Sequence, residues 1–200
     1  VTLAIVLAAG KGRRLGASKA LVDLGGRCAL AHCLDALAAG GADELRVVLG
    51  DDAELVRAAL GPTSATLLVN EHAERGQTSS LRVALADGPG AGDAFLLHTV
   101  DHPLVRAEDI AALLDAFASR PHGRRIVVPS VDGRRGHPAL FERDLADEFL
   151  ALTDDEPAHQ VVRRDPERIL HVERDDTWLV RDIDTPEDLA AARTALRSRT

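Results

Sequence analysis

Residues 2–8 form a continuous apolar run of strand length that opens directly onto a glycine-rich basic loop, residues 10–19. So short and so apolar a run reads as a strand covered on both faces, the mark of a parallel sheet. Parallel strands need crossover connections, so strands and helices must alternate along the chain. The remaining sequence supplies that alternation. Strand-length runs lie at 45–49, 65–69, 94–100, 126–129, 137–141, 169–172 and 178–183. Helical stretches lie at 29–39, closing on Gly40-Gly41, at 52–60, closing on Gly61-Pro62, and at 108–118, 145–152, 158–163 and 186–196. A further helix runs to about Asp87, with Thr78 or Ser79 as its cap. The expected architecture is a three-layer, doubly wound α/β fold with a mainly parallel sheet, one domain over residues 1–200. The irregular stretch 133–165 is the candidate insertion covering the site.

Charge and composition exclude several classes. The net charge of −8 argues against broad nucleic-acid binding, which needs a basic face. Small anionic ligands need only a local positive pocket. No apolar run reaches the roughly 20 residues that span a bilayer, and the N-terminus carries no basic-then-apolar leader, so a cytoplasmic protein is expected. Cys28 and Cys33 are spaced neither as a redox pair nor as a zinc pair and read as two half-buried thiols.

In an open α/β sheet, ligands sit outside the carboxyl ends of the strands. Three polar groups fall there: the loop 10–19, Asp101, and the pair Asp182 and Asp184. The loop region reads Leu7-Ala8-Ala9-Gly10-Lys11-Gly12-Arg13-Arg14-Leu15-Gly16-Ala17-Ser18-Lys19. Its glycines let backbone N–H groups approach phosphate oxygens. Arg14 and Lys19 add positive charge where negative charge builds in phosphoryl transfer. The two lysines of the chain, Lys11 and Lys19, both lie in this loop. It lacks the Gly-Lys-Ser/Thr ending of a Walker A loop, and Leu15 replaces the third glycine of a dinucleotide fingerprint. The plainer alternatives are a basic surface turn, a turn-forming Asp101 before His-Pro, and Asp184 or Thr185 as a helix cap, with Asp182 as understudy to Asp184.

The loop resembles the signature of nucleotidyltransferases with the glycosyltransferase-A-like (nucleotide-diphospho-sugar transferase) fold. It is most similar to the molybdenum-cofactor nucleotidyltransferases, the cytidylyltransferase branch in particular. Matching pieces follow in order: Arg75-Gly76-Gln77-Thr78-Ser79-Ser80-Leu81, Val100-Asp101-His102-Pro103, Gly136-His137-Pro138-Ala139-Leu140-Phe141, and Asp182-Ile183-Asp184-Thr185-Pro186-Glu187-Asp188-Leu189. The resemblance implies a triphosphate held by Ala8, Ala9, Gly10 and Gly12, with Arg14 and Lys19 on its phosphates. It implies Mg²⁺ on Asp101 and Asp184, and Gln77, Ser79 and Ser80 beside the nucleoside. Asn70 would meet base or ribose, unless it simply ends its strand in a turn. His137 touches the acceptor or is a structural histidine; His102 orients Asp101 or faces the pocket. Ala8-Ala9-Gly10 resembles the cytidylyl branch, so CTP is the expected substrate, molybdopterin the leading acceptor, and a molybdoenzyme the partner implied.

The departures cluster where the acceptor should bind. His102 stands where the family commonly has Gln, Ala20-Leu21-Val22-Asp23-Leu24 follows the lysine, and Thr153-Asp154-Asp155-Glu156-Pro157 replaces a Gly-Asp-rich motif. Two rivals stand beside this reading: an NAD(P)H-dependent oxidoreductase using the glycine loop for a dinucleotide, and a non-catalytic nucleotide-binding partner of a molybdoenzyme.

Overall fold

The computed structural model describes residues 2–10, 12, 14–153 and 156–199. Lys11 and Arg13 of the loop, and Asp154-Asp155, lie outside the described residues.

β1 (Thr2–Leu7) leads through the loop to a short hairpin, β2 (Asp23–Leu24) and β3 (Arg27–Cys28), and then to α1 (Ala29–Ala39). β4 (Glu44–Leu49), α2 (Ala53–Leu60), β5 (Thr66–Val69), α3 (Gln77–Leu85), β6 (Ala94–Thr99) and α4 (Ala107–Ala118) continue the alternation. β7 (Ile126–Val131), β8 (Arg134–Arg135), β9 (Ala139–Glu142), α5 (Ala146–Leu150), α6 (His159–Arg163), β10 (Ile169–Glu173) and α7 (Pro186–Ser198) complete the chain.

The main sheet has the order β10-β7-β9-β6-β1-β4-β5, with β8 pairing β7. It is mixed and mostly parallel: β9 runs antiparallel between β6 and β7. β1 sits at the centre and shows why its sequence is apolar throughout. Ala4, Val6 and Ala8 face one core with α1, α2 and α4. Leu3, Ile5 and Leu7 face the other, with α3, α5 and α6. Helices therefore cover both sides, as the unbroken apolar run requires. No helix among the described residues is long and apolar enough to cross a membrane.

Three expectations are corrected. Residues 178–183 form no strand. A 3₁₀ turn at Thr177–Leu179 and an extended tail take their place, because Trp178 and Ile183 bury against α7 and the β2–β3 hairpin rather than in the sheet. An apolar run signals burial, and burial can be met without a ladder. The α3 cap is neither Thr78 nor Ser79. The helix begins at Gln77 after Gly76, whose φ of +99° makes the turn. Nor is 133–165 an irregular insertion: it contributes the interior strand β9 and the helices α5 and α6.

Candidate active site

Three chain segments meet at the carboxyl ends of β1 and β6. Beyond β1, the N–H of fully buried Ala8 donates to Val48 O at 2.9 Å, fixing where the loop departs. A 3₁₀ turn over Lys19–Leu21 closes the loop and brings the lysine back towards the sheet. Beyond β6, Val100 donates to Leu7 O at 3.1 Å, so Asp101 emerges beside the loop. The third segment precedes α7. Ile183 N–H donates to Asp101 O at 2.8 Å, which sets Asp184 opposite Asp101.

Lys19 joins them. Its Nζ lies 2.9 Å from Asp101 Oδ2 and also donates to Asp184 Oδ1. Arg14 Nη2 reaches Asp184 Oδ2 at 3.1 Å from an exposed side chain. Asp184 is free to do this because it is not the helix cap. Thr185 caps α7 in a reciprocal box with Asp188.

The electrostatics follow from these contacts. Burial would raise the Asp101 carboxyl, but hydrogen bonding and charge from His102, with Lys19 and Thr99, hold it well below the usual carboxylate range. Burial would lower Lys19, but Asp101 and Asp184 outweigh it and raise it. Both groups are therefore charged at neutral pH.

A cleft of about 190 Å³ opens beside this triad, lined by Leu7, Ala9, Gly10, Lys19, Ala73, Gly76, Gln77, Ser80, Thr99, Val100 and Asp101. It shares Leu7, Gln77 and Thr99 with a second pocket of about 260 Å³. That pocket has walls of Leu97, Val128, Phe141 and Phe149 and carries the exposed Arg135, His159 and Arg163. A cavity of about 900 Å³ at the other end of the sheet, around Thr2, Asp93 and Ala94, contains none of the expected site residues.

Residues 4–186 match the MobA-like NTP transferase domain. The chain belongs to the MobA-like NTP transferase family. It is similar to the bifunctional protein GlmU of Streptococcus equi subsp. zooepidemicus, at 30% identity over 159 residues, 78% of this chain and 34% of that one. The chain thus spans about a third of the length of such relatives. It is similar to nicotine blue oxidoreductase of Paenarthrobacter nicotinovorans, at 29% identity over 92% of this chain and 93% of that one. Among solved structures it is similar to Rv0371c of Mycobacterium tuberculosis H37Rv, with a TM-score of 0.85, 29% identity, and coverage of 96% and 97%. The manganese complex of that protein aligns with a TM-score of 0.81, 26% identity and coverage of 97% and 98%. The fold is that of the nucleotide-diphospho-sugar transferases, as the sequence implies.

Within this MobA-like framework the other expected residues divide into two groups. Gln77 and Ser80 line the cleft with Ala9 and Gly10. Asn70 lies behind it. Its Nδ2 donates to Ser79 Oγ at 2.8 Å and Ser80 Oγ at 3.0 Å, and its Oδ1 accepts from His72 N at 3.0 Å. Ser79 Oγ also lies 3.1 Å from the carbonyls of His72 and Gly76. Asn70 and Ser79 therefore brace the segment that presents Gln77. Asp182 is exposed, and the lysine contacts Asp184.

The sequence reading missed a histidine cluster beneath Asp101. His98, on the fully buried β6, packs its ring 6.4 Å from His102 and 6.2 Å from His137, which are 4.7 Å apart. Among the described residues, neither ring nitrogen of His98 has a hydrogen-bond partner within normal geometry. Burial pushes His98 far below the usual imidazole range, and pushes His137 down to about 4. A lone histidine inside an otherwise apolar strand run was the available signal.

Proposed function

We propose that this chain transfers a nucleoside monophosphate from a nucleoside triphosphate, CTP first, to a phosphorylated acceptor, with molybdopterin the leading acceptor and a molybdoenzyme downstream. One nucleotidyltransferase domain over 1–200 carries the activity. The observation that carries the reading is the convergence of Lys19, Asp101 and Asp184 from separate parts of the chain at the mouth of a glycine-floored cleft. Membership of the MobA-like family supports it. The Ala8-Ala9-Gly10 sequence supports CTP.

The donor set fits a divalent cation. Asp101 Oδ2 and Asp184 Oδ1 already share one positive group, the Lys19 ammonium, so both oxygens face the same small volume. Among the described residues no group of three or more His, Cys, Asp or Glu side chains converges as a metal cage. Mg²⁺ suits such a site, since it takes one or two carboxylates and completes its shell with substrate phosphates and water. The manganese complex of Rv0371c supports the same assignment. Held there, the cation would neutralise phosphate oxygens.

The chain's own groups do the rest. Backbone N–H groups of the loop hold the triphosphate, and Arg14 and Lys19 meet the charge that grows on the departing pyrophosphate. An acceptor phosphate oxygen bonds to the α-phosphorus as the α–β bridging P–O bond breaks. The acceptor is already ionised, so no general base is required, and positioning supplies the rate.

Pyrophosphate release measured with each of four NTPs, with and without molybdopterin, tests the reading. Asp101→Asn is expected to lower release by about 100-fold; unchanged release would remove Asp101 from the site. Gly12 gives a second test. It holds φ +52°, and a Cβ there would lie 2.1 Å from Ala17 O. Gly12→Ala is expected to misplace the loop and cut transfer about 100-fold, with far-ultraviolet circular dichroism unchanged.

The relative named nicotine blue oxidoreductase, matched over nearly its whole length, favours a second reading. In that reading the same cleft takes a dinucleotide. NADPH oxidation with a dye acceptor at enzymatic rates, with no pyrophosphate released from any NTP, would establish it in place of the first.

A further inference from the structure

We infer that His102 is a positioning residue: its Nδ1 fixes Asp101 Oδ1, so that Oδ2 is the oxygen presented to the cation of the nucleotide site. The inference rests on the reading of Asp101 as a cation ligand. The two oxygens of this carboxylate have different partners. Oδ1 lies 3.1 Å from His102 Nδ1, and Oδ2 lies 2.9 Å from Lys19 Nζ at the cleft. A carboxylate has no hydrogen to offer, so His102 Nδ1 must carry it, and the tautomer follows. The same Nδ1 lies 3.1 Å from Thr99 Oγ1, the last residue of β6.

His102 is itself held from several sides. Its N–H closes a tight turn onto Thr99 O at 3.1 Å. Its ring rests on His137, whose N–H is anchored to Leu179 O at 2.8 Å. His98 backs both rings from within β6. The imidazole therefore cannot swing away without disturbing β6 and the segment ahead of β9, and the carboxylate it holds cannot rotate freely. Groups that orient a metal ligand in this way are worth roughly 10- to 100-fold in metal affinity.

The test is a titration of the full chain with Mn²⁺, read by electron paramagnetic resonance of free Mn²⁺, with a non-hydrolysable CTP analogue present. His102→Leu keeps bulk and removes the donor. It is expected to weaken Mn²⁺ binding by about 10-fold or more, and to lower kcat more than it raises KM for the nucleotide. His102→Asn, whose amide places an N–H near the position of Nδ1, is expected to recover binding to within about threefold of the parent. His102→Ala carries the same expectation as His102→Leu and replaces it should the leucine variant not fold. Parental affinity in the leucine or alanine variant overturns the inference, and so does an asparagine variant no better than leucine. Should the parent bind no Mn²⁺ with any triphosphate, the proposed function falls too; should only the variants match the parent, the positioning role alone falls.

Discussion

Lys19→Met is expected to slow transfer severely while strengthening divalent-cation binding in the absence of nucleotide. The lysine ammonium now neutralises Asp101 and Asp184 together. Removing it leaves two carboxylates, about a fifth exposed, facing each other with only the exposed Arg14, on Asp184, as a cation. At the few-ångström separations of such a site, unit charges interact by about 4 kcal/mol even at an effective dielectric constant of about 20. Mn²⁺ affinity without nucleotide should therefore rise by at least about tenfold, and added Mg²⁺ should raise the melting temperature more than in the parent. Transfer should fall by about 100- to 1,000-fold, because the charge forming on pyrophosphate loses its nearest cation. Calorimetric titration with Mn²⁺ and rates of pyrophosphate release read the two effects separately. Equal Mn²⁺ affinity in parent and variant would mean that the lysine does not compete for the carboxylates. The expected order of events is that the triphosphate draws Lys19 onto its phosphates and frees the carboxylates.

Acid should destabilise the fold well before the carboxylates titrate. His137 is held neutral down to about 4, against about 6.5 in the unfolded chain. Below 6.5 the unfolded state binds a proton that the folded state refuses, so stability falls as pH falls and rises as pH rises. The loss is about 2 kcal/mol at pH 5 and about 3 kcal/mol at pH 4, where the folded state also protonates and the contribution levels off. His98, lowered further, acts in the same direction. Asp101, also lowered, adds its loss only in more acidic solution, below the usual carboxylate range. Urea denaturation at pH 7.5, 6.0 and 5.0 gives the slope. His98→Leu removes one titrating ring and should flatten the slope by close to one proton. A slope unchanged by that substitution would show that His98 is protonated equally in both states.

The convergence of the loop 10–19, Asp101 and Asp184 was legible because parallel strands announce themselves. An apolar run ending in a glycine-lysine loop, an aspartate after the run at 94–100, and a Pro-Glu-Asp helix start all carry local signals, and the topology places their ends together. Two things were not legible. Asp184 and Thr185 were equal candidates for the α7 cap. The choice of Thr185 depends on the reciprocal bond with Asp188, which releases Asp184 to the lysine. The histidine cluster required knowing that β9 enters between β6 and β7, since that pairing alone brings His137 beside His98 and His102. Strand order and direction are tertiary facts, invisible to a pattern read one segment at a time. The apolar stretch 178–183 failed for the same reason: its hydrophobic partners lie on α7 and the β2–β3 hairpin.

The reversed direction of β9 has one more consequence. Ala139 pairs with Leu97 and Glu142 with Ala94, so β9 starts at the rim where its neighbours finish. Most of the rim is furnished by residues that follow strands; here it is furnished by residues that precede one, Arg135, Gly136 and His137. That wall of the second pocket therefore belongs to a segment separate from the loop 10–19. Under the proposed transfer, one acceptor would be exchanged for another by rewriting a few residues ahead of β9 while the loop 10–19 stays unchanged.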